Sequence, residues 1–333
     1  MTKRTLLVAM FALMATIGAN AQIVNTLILE TRVDEQYAAV DGQENGAASG
    51  FMGKFLNFKM AGNLSDELSY SWRQRINKPQ ADGSMFNATD WIYLTYHKDN
   101  WNLSAGKQVV AIGGYEYDRA PIDIYFASEY WQHIACYQFG MSAGYAFGED
   151  GADNLTFQIC QSPLGNRADN LMAYNLMWCG SHGSWKTIYS LNLLESAPGE
   201  LVNYIALGNR FGLEDVVVEL DFMNRSMVDD MTLLKNFSVV ADVNWSVYEK
   251  MNVFGKVSYD QNDTNLVTDS CVLPGSKLTR LGGGFEYFPM GANRNLRIHV
   301  AADYITGESL VSALKPNSMM FSIGLTWRLN LLK

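Results

Sequence analysis

Through most of its length the chain alternates apolar and polar side chains, in stretches of about ten residues divided by turn-forming clusters. The last stretch shows it most completely. Between positions 318 and 332, Phe321, Ile323, Leu325, Trp327, Leu329 and Leu331 fall on one face, and Ser322, Gly324, Thr326, Arg328 and Asn330 on the other. Successive residues of an extended chain point to opposite sides, so a period of two predicts a strand with one apolar and one polar face. Leu68, Tyr70 and Trp72 oppose Ser69, Ser71, Arg73 and Arg75 in the same way, and Leu27, Leu29, Thr31 and Val33 oppose Ile28, Glu30, Arg32 and Asp34.

Sixteen such segments follow: 25–34, 51–62, 68–75, 89–96, 101–108, 135–147, 154–161, 170–179, 185–194, 202–211, 216–224, 237–247, 252–260, 278–288, 295–305 and 318–332. Every second connector is a tight turn (63–66, 97–100, 148–151, 181–183, 212–214, 248–251, 289–292), and those between are longer. That sorting predicts a barrel set in a bilayer, short turns at one mouth and long loops at the other. A soluble β-sandwich has no reason to sort its loops so. An even count leaves both termini on one side and lets the sheet close without an edge, which lipid requires because it cannot hydrogen-bond a free strand. The fold class expected is therefore all-β: a 16-stranded antiparallel transmembrane β-barrel.

One interval breaks the rhythm. Residues 109–134, VVAIGGYEYDRAPIDIYFASEYWQHI, read neither as strand nor as tight turn. Selectivity is expected to be set there.

Composition narrows the class further. Residues 1–21 carry Lys3 and Arg4, an apolar run from Leu6 to Ile17 and then Ala19-Asn20-Ala21, the signature of a cleaved secretory leader. Residues 22–333 would then be the mature barrel. After Gln22 no run of 18 apolar residues occurs, so a helical membrane protein is excluded. The net charge of −9 becomes two units more negative without Lys3 and Arg4. An acidic protein lacks the basic surface that nucleic acid demands. The four cysteines, Cys136, Cys160, Cys179 and Cys271, show no metal-like spacing. Cys136 and Cys160 fall on neighbouring strands towards one membrane side, where a disulfide would depend on geometry the sequence does not give; unbonded small apolar residues are the default. Aromatics at strand ends (Trp72, Trp91, Trp101, Trp178, Trp185, Trp245, Tyr248, Tyr287, Tyr304 and Trp327) fit interfacial girdles, with the rings in the headgroups.

With a long loop after the fifth strand, the chain resembles the phosphate-selective porin family (porins O and P) of Gram-negative outer membranes. The resemblance is carried by Trp101-Asn102-Leu103-Ser104-Ala105-Gly106-Lys107-Gln108, by Gly113-Gly114-Tyr115-Glu116-Tyr117-Asp118 and by Gly324-Leu325-Thr326-Trp327-Arg328-Leu329. It implies a trimeric porin in the outer membrane whose third loop folds into the lumen, and an anion preference through basic lumen residues. The long loop departs from that pattern, with Glu116, Asp118, Asp123 and Glu129 against a single Arg119, so phosphate selectivity is not carried across.

A channel selects by width and by the charges at its narrowest point. The residues expected to line the constriction are Arg32, Arg73, Arg75, Tyr115, Glu116, Asp118, Arg119, Asp123, Arg280 and Arg328, with Lys59, Lys256 and Arg297 also on inward faces. Loop acids facing wall arginines would set a transverse field; the plainer alternative is that these charges are solvated and paired, with no selective role. Arg73, Arg75 and Arg119 are expected to form the cationic side. Enzymatic parts are missing: His97, His133, His182 and His299 read as isolated, and neither a His-x-Glu nor a Gly-x-Ser-x-Gly pattern occurs. Gly282-Gly283-Gly284 lacks the helix and lysine of a phosphate loop and reads as small residues where strands pack. The function expected is passive diffusion of small polar or charged solutes, anions such as phosphate among them, without a cofactor. Two rivals stand beside it: a plugged barrel serving as a surface receptor or adhesin, and an outer-membrane hydrolase.

Overall fold

The computed structural model describes residues 23–78, 84–165, 170–266, 271–309 and 314–332. The expected leader, 1–21, lies outside the described residues. Each predicted segment forms a strand: β1 (Thr26–Val40), β3 (Gly50–Asn63), β4 (Leu68–Arg75), β5 (Thr89–Lys98), β6 (Trp101–Val109), β7 (Tyr137–Phe147), β8 (Asp153–Gln161), β9 (Met172–His182), β10 (Trp185–Ala197), β11 (Glu200–Leu213), β12 (Val216–Met227), β13 (Asn236–Tyr248), β14 (Met251–Asn262), β15 (Ser276–Tyr287), β16 (Leu296–Glu308) and β17 (Ser318–Asn330). A two-residue β2 (Gln43–Glu44) folds back on the end of β1.

Neighbours in sequence pair antiparallel all the way round, and β1 closes the ring on β17 from Ile28↔Asn330 to Val40↔Ser318. The ring is thus a closed 16-stranded barrel extended by β2. Its burial is inverted relative to a soluble protein. On β1, Glu30, Arg32 and Asp34 are buried while Val33 and Tyr37 are exposed; on β17, Ser322 and Thr326 are buried while Phe321, Ile323 and Leu329 are exposed. Apolar side chains left outward and polar ones turned inward are the pattern that a lipid exterior rewards.

The connectors sort by length nearly as expected. At the end where both termini lie, five turns are tight, among them 99–100, 183–184, 214–215 and 249–250. Two corrections fall here: the tight turn expected at 289–292 is an eight-residue connector, 288–295, and at the other end β10 and β11 meet in a two-residue turn at Pro198 and Gly199 instead of a longer loop. Strands also run on into stretches read as loops or turns: Tyr37 to Val40 belong to β1, His97 to β5 and His182 to β9. Ladder pairing with β17, and with β2 at Ala39 and Val40, holds β1 extended after the apolar alternation has ended. Trp91 corrects the girdle list. Its Nε1 donates to Ser71 Oγ at 2.8 Å and the Arg73 guanidinium lies over its ring, so it sits on the polar face, not the lipid face.

Candidate functional site

Segment 110–136, between β6 and β7, contains helical turns at Tyr115–Asp118 and Glu129–His133 and a 3-10 turn at Pro121–Asp123. It is seated on the polar face of the ring by side chains from many strands. Asn192 of β10 donates to Ala111 O (2.8 Å), and Ser190 Oγ accepts from Gly113 N (2.8 Å). Asp221 of β12 accepts from the N–H groups of Tyr115 and Glu116. Lys256 of β14 donates to Glu116 Oε1 (2.5 Å) and Phe126 O (3.1 Å). Arg280 of β15 reaches Ala127 O (2.7 Å), Arg297 of β16 reaches Asp123 (2.9 Å), and Arg328 of β17 holds both Asp123 oxygens (2.7 and 2.8 Å). Arg32 of β1 donates to Ile124 O (2.7 Å).

Gly114 explains how the backbone comes so close. Its φ of +104° is one that residues with a Cβ rarely adopt, and it stands against Gly208 of β11, whose own Cβ would lie 2.7 Å from the Gly114 Cα. Gly282, the first of the triplet 282–284, serves the same fit. A Cβ on Gly282 would come 2.5 Å from the Phe126 ring, so β15 leaves space for that ring.

The expected charges are present, but in contact with one another, not facing across open water. Glu116 pairs with Lys256; Asp123 with Arg297 and Arg328; Arg119 with Glu219 and Asp242; Arg280 with Asp303 at 2.6 Å; Arg32 with Asp34 at 2.6 Å. Arg73 bonds Glu30 (3.0 Å) and shares Asp90 with Arg75 (3.4 and 2.8 Å). Arg73 and Arg75 therefore belong to a β1–β3–β4–β5 cluster, whereas Arg119 meets acids of β12 and β13. The structure does not bring the three into one cationic group. Asp118 is exposed at the end of its turn, and Tyr115 is buried beneath Arg210.

Glu30 accepts from Asn57 and Arg73 and pairs with Lys59 and Arg328, and Arg328 leads on to Asp123, Arg297 and Glu286. A ladder of alternating charge thus runs from Asp90 to Glu286. Tyr125 braces its end: the hydroxyl donates to Glu286 Oε1 at 2.6 Å, and the ring lies between the Arg32 and Arg297 guanidiniums, stacked on Phe254 at 5.1 Å. Asp221, Asp260, Glu30, Asp90, Glu286 and Tyr125 were not singled out from sequence. The acids carried one weak signal, isolated carboxylates on polar faces. Tyr125 carried none.

The rest of the segment is held by apolar contact. Val110, Ile112, Tyr117, Tyr130 and Ile134 pack with Cys160, Ala173, Leu194, Val202, Tyr204, Ala206 and Met223 of β8 to β12, and with Leu266, Cys271 and Val272 from the β14–β15 connector. Where 109–134 meets Asp242, Phe254, Lys256 and Glu286, a small pocket of about 30 Å³ remains, room for a water or two. The four cysteines are free. His97 is not isolated: its Nε2 lies 2.8 Å from Ser69 Oγ and its Nδ1 2.6 Å from Asn102 Oδ1, at the short-turn rim. His299 is buried against Tyr125, with Asp34 at 3.4 Å.

The model of the family described as phosphate-selective porin O and P matches residues 29–184. No curated protein matches the chain in sequence. Among solved structures, the chain is similar to an anion-selective porin from Comamonas acidovorans (TM-score 0.64, 10% identity, 91% of this chain and 99% of that one). It is similar also to outer-membrane-expressed OmpT of Vibrio cholerae (0.63, 10%, 91% and 97%). The third is the outer membrane channel DcaP of Acinetobacter baumannii (0.63, 12%, 92% and 97%).

Proposed function

With its match to the phosphate-selective porin O and P family over residues 29–184 as the premise, we propose that this outer-membrane barrel is a diffusion channel for small anions, narrowed by 109–134. The segment is bonded to strands from β8 to β17 and, through Arg32, to β1, so the water path in this reading runs along the wall of β3 to β7.

One observation carries the sign of the charge preference. In the ion pairs of the inner face that reach water, apart from those of Asp123, it is the cation that meets water and the acid that is covered. Side-chain exposure is 26% for Lys59 and 24% for Arg328 against 0% for Glu30, 22% for Arg75 against 3% for Asp90, and 25% for Arg119 against 7% for Glu219. Within the segment, Asp118 is exposed and Asp123, at 28%, meets water more than the two arginines that hold it. A passing solute therefore meets guanidinium and ammonium groups first, whatever the sign of the net charge. In a salt gradient across a planar bilayer the reversal potential should indicate anion preference, and Lys59→Gln with Arg75→Gln should move it towards cations. A cation-selective parent would overturn the assignment.

Assembly as a homotrimer is part of the reading, supported by a similar Vibrio cholerae OmpT structure described as a trimer form. Chemical cross-linking in detergent should stop at three copies. The receptor rival, a barrel plugged throughout, predicts no conductance steps. The hydrolase rival has Ser69, His97 and Asn102 in the order nucleophile, base, orienting group. A fluorophosphonate probe should leave Ser69 unlabelled if the protein is a channel alone.

A further inference from the structure

Each longer helical turn of the segment begins on a carboxylate supplied by the barrel wall. Asp221 of β12 accepts from Tyr115 N through Oδ1 (2.8 Å) and from Glu116 N through Oδ2 (2.7 Å). Asp260 of β14 accepts from Glu129 N (2.9 Å) and Tyr130 N (3.3 Å), and from Ser238 Oγ (2.5 Å). The first N–H groups of a helical turn have no partner within it. A carboxylate that takes two of them at once fixes the direction of the turn as well as its place. Neither alanine, with no acceptor, nor asparagine, with one oxygen, can do both.

A third carboxylate joins the two seats. Glu116, on the first turn, accepts from Ser128 N (2.9 Å) and Ser128 Oγ, directly before the second turn, and from Lys256 of β14. The chain between the seats is therefore held at both ends and tied across its base. It carries Arg119, Asp123 and Tyr125, the groups from this segment that meet the water path or brace its charge ladder.

We infer that Asp221 and Asp260 are positioning residues of the channel, pins that fix how far 109–134 stands out from the wall and so set the width of the water path. The inference rests on the reading of this segment as the constriction. Neither aspartate needs to touch solute; each acts through the backbone it holds. Without the pins the apolar contacts of 110–134 remain, but the two turns lose their heading and the stretch between them spends time lifted from its seat.

The experiment uses full-length protein in planar bilayers, comparing D221A, D260A and the double variant with D221N and D260N. Single-channel conductance should rise by roughly half or more in the double alanine variant, since passage is governed by the narrowest width. The size of polyethylene glycol that enters the pore should rise with it. Asparagine, which restores one acceptor, should bring both readouts part of the way back, a rescue that a general loss of folding would not show. A double alanine variant that keeps the parent's heat-modifiable gel mobility together with the parent's conductance and polymer cut-off overturns the inference, as does a fall in conductance. If the alanine variants do not fold, the asparagine variants decide alone: conductance equal to the parent's overturns it. A parent that gives no conductance steps defeats the channel reading as well, whereas a conducting parent with unresponsive variants defeats the pins alone.

Discussion

Lys256 and Glu116 show what one pair of side chains does in this molecule. Both are buried, and the pair joins β14 to the first helical turn of 109–134. Removing one partner leaves an uncompensated buried charge, a loss of about 3–5 kcal/mol, whereas neutral replacements on both sides can cost far less. K256M should therefore lower the midpoint of heat-modifiable unfolding more than K256M combined with E116Q, despite the double variant losing more contacts. Lys277 and Asp263, paired at 3.8 Å near the surface, offer the contrast; D263N should leave that midpoint unchanged. Asp123 answers to pH. Burial pushes its carboxyl up, but Arg297 and Arg328 outweigh burial and hold it below the usual carboxylate range. A depressed pKa means the anchoring is complete above the ordinary value, about 3.9, and is lost only as pH falls through the lower one. The part of the ion selectivity that Asp123 contributes should thus stay level from neutral pH down to about pH 4, where an ordinary aspartate is about half protonated. A D123N variant whose reversal potential differs from the parent's at neutral pH but not at pH 4 would argue that Asp123 is not held by the two arginines. Residue types on the polar faces were legible from the alternation, but partners were not, because a pair such as Asp123 and Arg328 joins positions 205 apart in the chain.

At the level of the element, strand existence was readable and strand ends were not. Alternation reports a difference between two faces, and beyond the hydrocarbon that difference fades while ladder bonds continue, as in the last residues of β1. Turns tell a similar story. Asp99 (φ 51°) and Glu214 (φ 47°) take the left-handed conformation in two-residue turns, a geometry that matches the twist of the flanking strands. Aspartate tolerates it well and glutamate poorly. E214G should raise the unfolding midpoint, by a stabilisation of about 1 kcal/mol; a lower midpoint would show that Glu214 makes a compensating contact. Where 109–134 meets the wall, sequence named Gly113-Gly114 without a reason for it. The reason is Gly208, a residue of another strand, so the signal existed in two halves that only pairing could join. G208V should dislodge the segment and make it a site of proteolytic cutting in detergent, with the barrel's own strands protected; an uncut G208V protein would show that the contact is not needed.

For the whole molecule, closure is the consequence from which the rest follows. Once β1 meets β17, the polar faces of sixteen strands are turned on a common interior, and side chains far apart in sequence become neighbours. The sequence by itself determined the class of fold. A period of two, an even number of segments and connectors sorted by length admit few solutions in lipid, where every backbone group must be bonded within the sheet. It also determined which interval would be exceptional, since 109–134 obeys none of those rules. Only the tertiary structure decided that the charges there meet in contact pairs, that Lys59, Arg75, Arg119 and Arg328 meet water while Glu30, Asp90 and Glu219 are covered, and that β8 to β12 turn Cys160, Ala173, Val202, Tyr204 and Ala206 towards the segment. Those outcomes depend on the register with which strands close and on which wall the segment comes to rest against. Both are set by long-range fit, and alternation along a single strand carries no record of it.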